Sequence, residues 1–177
     1  ERAQGGIRII LPDMLTSQPA FQKAFQRVPL SGNLEEDRIV LNQFLEDWLI
    51  EEAMALAAGM SLKNKIMNLP HGGGKGVIFL GQWQYQEGQW RLMPINDGQF
   101  EVKDLAVVMR DAARAFAQEG VIFETIDGGA PDVNPFKHMV SNSRMMGWLV
   151  DETLVYQMSN PEAVIWTEEP VLKNVLR

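Results

Sequence analysis

The residues in this chain best suited to chemistry lie in one stretch, GMSLKNKIMNLPHGGGKGVIFLG, which covers residues 59–81. Three consecutive glycines precede Lys75, and a second lysine, Lys63, lies twelve positions upstream. Glycines carry no side chain, so a ligand can approach their backbone closely and no carboxylate lies beside the lysine. A phosphate-binding loop, an oxyanion loop and a catalytic amine all use this combination, and each needs different partners elsewhere in the chain.

The sequence argues against a phosphate-binding loop. The P-loop motif reads G-x-x-x-x-G-K-[ST], and the hydroxyl that follows its lysine binds the metal ion. In this chain Gly76 follows Lys75, and Leu69 occupies the position of the first glycine. A nucleoside triphosphate site is therefore not expected.

The sequence also argues against a hydrolase. The HGGG run at residues 71–74 resembles a lipase oxyanion loop, which works with a serine in a G-x-S-x-G turn. None of the six serines of the chain lies in such a turn. His138, the only histidine outside the glycine stretch, precedes three of these serines, so only the earlier ones keep the order of a lipase triad.

A catalytic lysine fits the stretch better. A lysine works as a base near neutral pH only when burial or a second cation lowers its pKa, by roughly three units from about 10.4. Lys63 is a candidate second cation for Lys75, and it would also give a substrate carboxylate a partner. From this stretch alone, a solvent-exposed turn with two hydrated lysines remains the alternative. His71 and His138 are interpreted as loop residues, because no carboxylate spacing around them suggests a metal site.

Composition limits the partners of the chain. Its 177 residues suffice for one domain with a sizeable core, and its net charge of -7 argues against nucleic acid and anionic membranes. The absence of cysteine excludes disulfides, thiolate nucleophiles and cysteine zinc sites, and is consistent with the cytoplasm. No apolar run approaches the ~20 residues of a membrane span, and the N-terminus does not resemble a signal peptide.

Short apolar strands alternate with amphipathic helices, which indicates an α/β domain. Residues 12–32 are rich in Pro, Gln and Ser and are predicted to be irregular. The strands are expected at 5–11, 77–81 and 121–126, with a hairpin around Glu87–Gly88, and the helices at 33–59, 102–120 and 143–158.

The first of these helices has clear end signals. Asn33 followed by Glu36 resembles a capping box, and Gly59 is the predicted end. Its large apolar residues recur at helical spacing, and we expect its Trp and Met side chains in the core. These apolar residues are Leu41, Leu45, Trp48, Leu49, Met54 and Leu56.

The glycine stretch resembles the signature of the glutamate/leucine/phenylalanine/valine dehydrogenases. In that family a Met-Thr-x-Lys segment leads, twelve residues later, to the lysine of a Gly-Gly-Gly-Lys-like loop, and GMSLKNKIMNLPHGGGKG has this spacing. Four further blocks resemble the family in the same order along the chain: GGIR at 5–8, EVKDLAVVMRDAARAF at 101–116, APDVN at 130–134 and SNSRMMGWLVDE at 141–152.

The resemblance implies a fold and a reaction. The fold would be a three-layer α/β/α sandwich with a mixed sheet, and the chain would form a homo-oligomer, since family members assemble through this domain. The reaction would be oxidative deamination of an L-amino acid to its 2-oxo acid, with NAD or NADP as the hydride acceptor.

The resemblance also assigns residues to roles. Lys75 would activate the water that attacks the imine. Asp132 would carry protons to and from the substrate nitrogen, and it is preferred over Asp127 because it lies in the matching APDV context. The substrate-binding positions would be Lys63 for the α-carboxylate, Gly5 and Gly6 for close backbone approach, Met60 in the pocket, and Gln4 beside the glycines.

The chain departs from the family pattern in several places. Gln4 stands where glutamate dehydrogenases usually carry a lysine that binds the side-chain carboxylate, which argues against glutamate as the substrate. Segments 12–50, 82–99 and 135–141 look inserted.

The chain also lacks a G-x-G-x-x-G motif, so NAD or NADP is expected to bind mainly to a domain absent from it. Residues 1–177 are thus predicted to be one N-terminal domain of a longer enzyme, inactive by itself. The alternative is a non-catalytic interaction or regulatory domain that kept this fold.

Overall fold

The computed structural model describes residues 3–70, 72–118, 123–127, 135–136 and 138–160. Strands and helices alternate along much of the chain, which confirms the α/β class. The elements are β1 (Ala3–Ile10), α1 (Pro12–Thr16), α2 (Pro19–Phe25), α3 (Leu34–Ile66), β2 (Gly72–Phe79), β3 (Gly81–Gln86), β4 (Gln89–Pro94), a 3-10 turn (Ile95–Gly98), α4 (Val102–Gln118), β5 (Phe123–Asp127) and α5 (Asn142–Ser159).

Three of the strands form a parallel sheet in the order β2, β1, β5. Side chains alternate between the two faces of a sheet, and the glycines of β2 show which helix covers each face. A Cβ atom on Gly73 would lie against the backbone of α3, and one on Gly76 would lie against the Phe116 ring of α4. Helices α3 and α4 therefore pack against opposite faces of β2.

Strands β3 and β4 form a separate antiparallel pair, which confirms the predicted hairpin. Both turn residues, Glu87 and Gly88, have positive φ angles of 52° and 79°, as in the type I′ turns that match the strand twist. The prediction of one mixed sheet is wrong for the described strands, because this tight turn pairs β3 with β4 and neither joins the parallel sheet.

Helix α3 begins where the sequence predicts. The side chain of Asn33 accepts hydrogen bonds from the backbone amides of Glu35 and Glu36, at 3.0 and 3.4 Å. The predicted end at Gly59 is wrong, because the helix continues to Ile66. A glycine inside a helix costs about 1 kcal/mol relative to alanine, and the contacts of the last turns with β2 outweigh that cost.

Residues 12–32 contain two short helices, α1 and α2, rather than the irregular chain predicted. Each helix begins with a proline, whose fixed φ suits the first helical position and whose missing amide is not needed there. Leu15 and Phe21 are buried in the core, and their burial stabilises the packing of both helices against the domain.

The described residues form two hydrophobic cores. The first joins the sheet to α4 and α5 and contains Ile7, Ile9, Leu80, Phe100, Leu105, Met109, Ala113, Phe136, Val140, Met145 and Leu149. The second contains Ile10, Leu15, Phe21, Leu41, Leu45, Trp83, Trp90 and Leu92. Nearly all of the second core comes from segments 12–50 and 82–99, so these two apparent insertions fold against each other.

Helix α3 exposes several large apolar side chains. Met54, Leu62 and Ile66 are 67%, 59% and 76% exposed. The expected place of Met54 in the core is therefore wrong, because this side of the helix faces away from the sheet. Within the described part of the chain, no helix is long and apolar enough to cross a membrane.

Charged residues join α4 to α5. Arg114 donates hydrogen bonds of 2.6 and 3.0 Å to the buried carboxylate of Glu152, and Arg110 donates one of 3.3 Å to Asp151. The hydrogen bond that Arg114 donates to Glu152 raises the pKa of Arg114 further above its ordinary value, so the guanidinium stays protonated. The contacts hold α5 against α4.

Candidate functional site

The glycine stretch forms the start of strand β2 rather than a loop. Gly72, Gly73 and Gly74 pair in register with residues of β1, and Lys75 pairs with Gly6. The predicted loop is wrong because β1 offers these glycines a partner strand, so their backbone groups enter a parallel ladder. Lys75 therefore projects from a fixed strand position, and it is half-buried.

Lys75, Gly6 and Asp127 form one row across the sheet. Gly6 of β1 pairs with Lys75 on one side and with Asp127, the last residue of β5, on the other. Neighbouring strands are about 4.8 Å apart, so the Cα atoms of Lys75 and Asp127 are roughly 10 Å apart. Because Gly6 has no side chain, nothing projects between these two positions on the row.

The other predicted residues of β1 lie next to this row. Gly5 pairs with Gly74 and Gln4 pairs with Gly73, so five glycines of β1 and β2 adjoin one another. The predicted glycine positions are thus brought together with Lys75 by the strand register. The side chain of Gln4 lies outside the described part of the structure.

Lys63 and Met60 lie near the C-terminal end of α3, the helix that leads into β2. Lys63 is exposed, and Met60 is half-buried. Among the described residues, neither Lys63 nor Lys75 forms an ion pair with a carboxylate. Both ammonium groups are thus uncommitted to any described acidic side chain.

Two predicted residues, Asp132 and His71, lie outside the described residues. Strand β5 ends at Asp127, five positions before Asp132, so the convergence of Asp132 with Lys75 stays a prediction. His138 is exposed, and no group of potential metal ligands occurs in the part of the chain that the structure describes.

An open groove with a volume of about 400 Å³ runs between α3 and β2. Its polar lining includes Lys75, Glu46 and Asn42. The rest of its lining is largely apolar: Leu45, Leu49, Ile50, Ala53, Gly76, Val77 and Phe116.

The sequence interpretation missed three contacts at this site. Arg8, two residues beyond Gly6 on the same face of β1, forms an ion pair with Glu52 of α3. Ser61 and Asn64 form hydrogen bonds with the first glycines of β2. Ala57, Ser61 and Asn64 recur at helical spacing, but small and polar residues at that spacing resemble a solvent-facing side, so their contacts with β2 were not evident.

The described residues do not fit a dinucleotide site. Such a site needs a glycine-rich turn between a strand and the helix that follows it. The junction of β1 with α1 contains Leu11 and Pro12 and no glycine. The described segment between β4 and α4, residues 95–101, has Gly98 as its single glycine. We therefore derive no dinucleotide contact from this part of the chain.

The chain matches proteins of known family over much of its length. The model of the Glu/Leu/Phe/Val dehydrogenase dimerisation domain matches residues 42–154. The Gly5–Arg8 block lies ahead of that match, although β1 is the central strand of the sheet. No solved structure matches the chain.

Three similar proteins are named as glutamate dehydrogenases. An NADP(+)-dependent glutamate dehydrogenase of Pyrobaculum calidifontis is 32% identical over 73% of this chain and 25% of its own length. An NAD-specific glutamate dehydrogenase of Staphylococcus aureus is 30% identical over 69% and 24%. The catabolic NAD-specific glutamate dehydrogenase RocG of Bacillus subtilis is 35% identical over 58% and 19%.

The chain thus spans about a quarter of the length of the first of these relatives. The matched region contains the lysines, the glycine strand and most of α5. On this match, the chain belongs to the Glu/Leu/Phe/Val dehydrogenase family and corresponds to its dimerisation domain.

Proposed function

We propose that this chain is the substrate-binding and oligomerisation domain of an NAD(P)-dependent amino-acid dehydrogenase. The observation that carries the proposal is the row of Lys75, Gly6 and Asp127 across the parallel sheet. It places Lys75 on one side of a glycine position and the end of β5 on the other. The segment with Asp132 follows directly from that end.

The residues have complementary roles in the proposed reaction. The Lys63 ammonium binds the α-carboxylate of the substrate by a charge-assisted hydrogen bond. Asp132 removes a proton from the substrate ammonium, because Cα releases a hydride more readily when the nitrogen is neutral. The Lys75 amine then takes a proton from the water that attacks the imine carbon. NAD or NADP, held by a domain outside this chain, would supply the hydride acceptor.

The amino acid used is a separate question. The relatives are named glutamate dehydrogenases, whereas Gln4 replaces the lysine that would bind a glutamate side chain. Glutamine has no charge to pair with that carboxylate. We therefore propose an L-amino acid as the substrate class and leave its side chain to the assay.

Assembly and architecture form a second part of the proposal. The contacts of α3 and α4 with opposite faces of β2 support a three-layer α/β/α arrangement. A homo-oligomer would cover apolar surface such as Met54, Leu62 and Ile66 on α3, which lie at spacings of four and eight residues. We place the protein in the cytoplasm, in keeping with the absence of cysteine.

The proposal is tested with the complete gene product that contains this chain. Reduction of NAD and NADP is followed with a panel of L-amino acids, glutamate included. Lys75→Ala should lower kcat by about 10²- to 10⁴-fold, the usual contribution of a general base. Lys63→Ala should mainly raise KM, because it removes the partner of the α-carboxylate. Lys65→Ala, an exposed lysine on the same helix, is the matched control and should leave both constants unchanged.

Residues 1–177 expressed alone should be inactive, since their sequence contains no G-x-G-x-x-G motif for the hydride acceptor. Turnover of any amino acid by this piece would overturn that part of the proposal. A complete protein that folds and assembles but oxidises no amino acid would overturn the catalytic function and favour the non-catalytic interaction domain.

A further inference from the structure

Helix α3 holds a single peptide group of β2 by both of its polar atoms. The backbone amide of Gly73 donates a 2.8 Å hydrogen bond to Oγ of Ser61. The Nδ2 of Asn64 donates a 3.0 Å hydrogen bond to the carbonyl oxygen of Gly72. That amide and that carbonyl belong to the same peptide group, so the two bonds together fix the orientation of its plane.

The helix approaches this peptide so closely that no side chain fits between them. A Cβ atom on Gly73 would lie 2.2 Å from the carbonyl oxygen of Ala57 and 2.5 Å from the amide nitrogen of Ser61. Both are backbone atoms inside a helix and cannot rotate away. The contact therefore requires glycine at 73.

The residues that hold the peptide are themselves well placed. Asn64 is 1% exposed, so close packing restricts its side chain to one orientation. The Ser61 hydroxyl donates a 3.1 Å hydrogen bond to the carbonyl oxygen of Ala57, which orients its lone pairs toward Gly73. The Ser61 hydroxyl, which accepts from the amide, and the Asn64 side chain, which donates to the carbonyl, are thus both held in place by the helix.

This contact links the two lysines by a short path. Lys63 lies between Ser61 and Asn64 on the helix, and Lys75 lies two residues after Gly73 on the strand. The backbone amides of residues 67–69 are hydrogen-bonded to the end of α3, and Ser61 and Asn64 tie the start of β2 to the same helix. The relative position of the two ammonium groups therefore depends on the hydrogen bonds to the Gly72–Gly73 peptide.

We propose that Ser61 and Asn64 are positioning residues for the dehydrogenase reaction, acting through the Gly72–Gly73 peptide to set Lys75 against Lys63. The inference rests on the proposed function. Lys63 determines where the substrate carboxylate binds, and Lys75 acts at Cα. A misplacement of about 1 Å between these groups can cost about 100-fold in rate.

The test uses the complete gene product with two variants, Ser61→Ala and Asn64→Ala. Each should lower kcat by about 10- to 100-fold and change KM by less than about threefold, because Lys63 still binds the carboxylate. Gln43→Ala removes an exposed amide side chain of the same helix that does not line the groove, and it should leave both constants unchanged. Amide hydrogen exchange in the peptide that contains Gly73 should be faster in Ser61→Ala than in the wild type.

The outcomes separate the inference from the proposed function. A wild type that oxidises no amino acid overturns both. An active wild type whose two variants keep kcat, or whose Gly73 exchange is unchanged in Ser61→Ala, overturns the inference alone. A KM rise equal to the kcat loss would also overturn it, since that pattern indicates disrupted substrate binding. Ser61 is exposed, so its variant remains informative where Asn64→Ala does not fold.

Discussion

The two halves of helix α3 are held against the domain in different ways. In the first half, residues 34–50, large rings pack together: the Phe21 ring centroid lies 5.2 Å from that of Trp48, edge-on, and 5.4 Å from that of Phe44. In the second half, residues 51–66, Ser61 and Asn64 hold one peptide group by hydrogen bonds. Aromatic packing anchors one end, and backbone contact anchors the other.

The difference shows how one helix can separate stability from positioning. Burial of apolar area is non-directional and supplies most of the folding free energy. Hydrogen bonds to one peptide supply less free energy, but they depend strongly on distance and angle. Lys63 lies in the second half, and Lys75 lies two residues beyond the glycine that this half holds. We therefore expect changes in the first half to lower stability and changes in the second half to lower kcat.

Phe21→Ala should have the largest effect on stability. Phe21 is 1% exposed, and its removal leaves a cavity beside Phe44 and Trp48. The free energy of unfolding should fall by about 3–5 kcal/mol, as measured by urea denaturation. Phe21→Leu, which fills part of the cavity, should lose less. If the folded Phe21→Ala protein also lost kcat at low temperature, the two halves would not act separately.

Gly73→Ala should have a smaller effect on stability but a large effect on kcat. The added methyl group overlaps the backbone of Ala57 and Ser61, so α3 and β2 must separate locally. Overpacking of this kind costs about 1–3 kcal/mol, and the displaced Lys75 should lower kcat by about tenfold or more. Thermal denaturation and steady-state kinetics measure the two effects.

Gly59→Ala is the matched control for Gly73→Ala. Gly59 is inside α3, and apart from its chain neighbours and the nearby helix backbone nothing lies within 4 Å of a Cβ at this position. Alanine should therefore raise stability by about 0.5–1 kcal/mol and leave kcat unchanged. Equal losses of kcat in both variants would mean that any change in the second half of α3 disturbs the site.

Much of the fold follows from the sequence because local signals agree with tertiary packing. The Asn33 cap, the Glu87–Gly88 turn and the apolar runs of β1 and β5 each specify their element within a few residues. The missed features depend on contacts between distant segments. Helix α3 continues past Gly59 because its last turns pack against β2. Residues 12–32 form helices because Leu15 and Phe21 are buried among other hydrophobic side chains.

Part of the candidate site could be proposed from the sequence because its spacing is local. The interval of twelve residues between Lys63 and Lys75 can be read from the sequence. The strand register then places Gly6, another predicted residue, beside Lys75. The roles of Ser61 and Asn64 were not readable, since each forms its bond with a backbone group rather than a side chain. Asp132 lies outside the described residues, and its convergence with Lys75 remains a prediction.

Asn33→Ala should have the smallest effect and gives the sharpest comparison of the two halves. It removes the hydrogen bonds to the amides of Glu35 and Glu36, and the loss of such a cap costs about 1 kcal/mol. Asn33→Asp keeps an acceptor and should retain wild-type stability. Because Asn33 begins the half that is anchored by aromatic rings, kcat should stay unchanged in both variants. A fall in kcat in Asn33→Ala without a fall in the free energy of unfolding would contradict this separation. It would mean that a change at the start of α3 displaces Lys63 or Lys75 near its far end. Aromatic packing would then position the site as well as stabilise the fold.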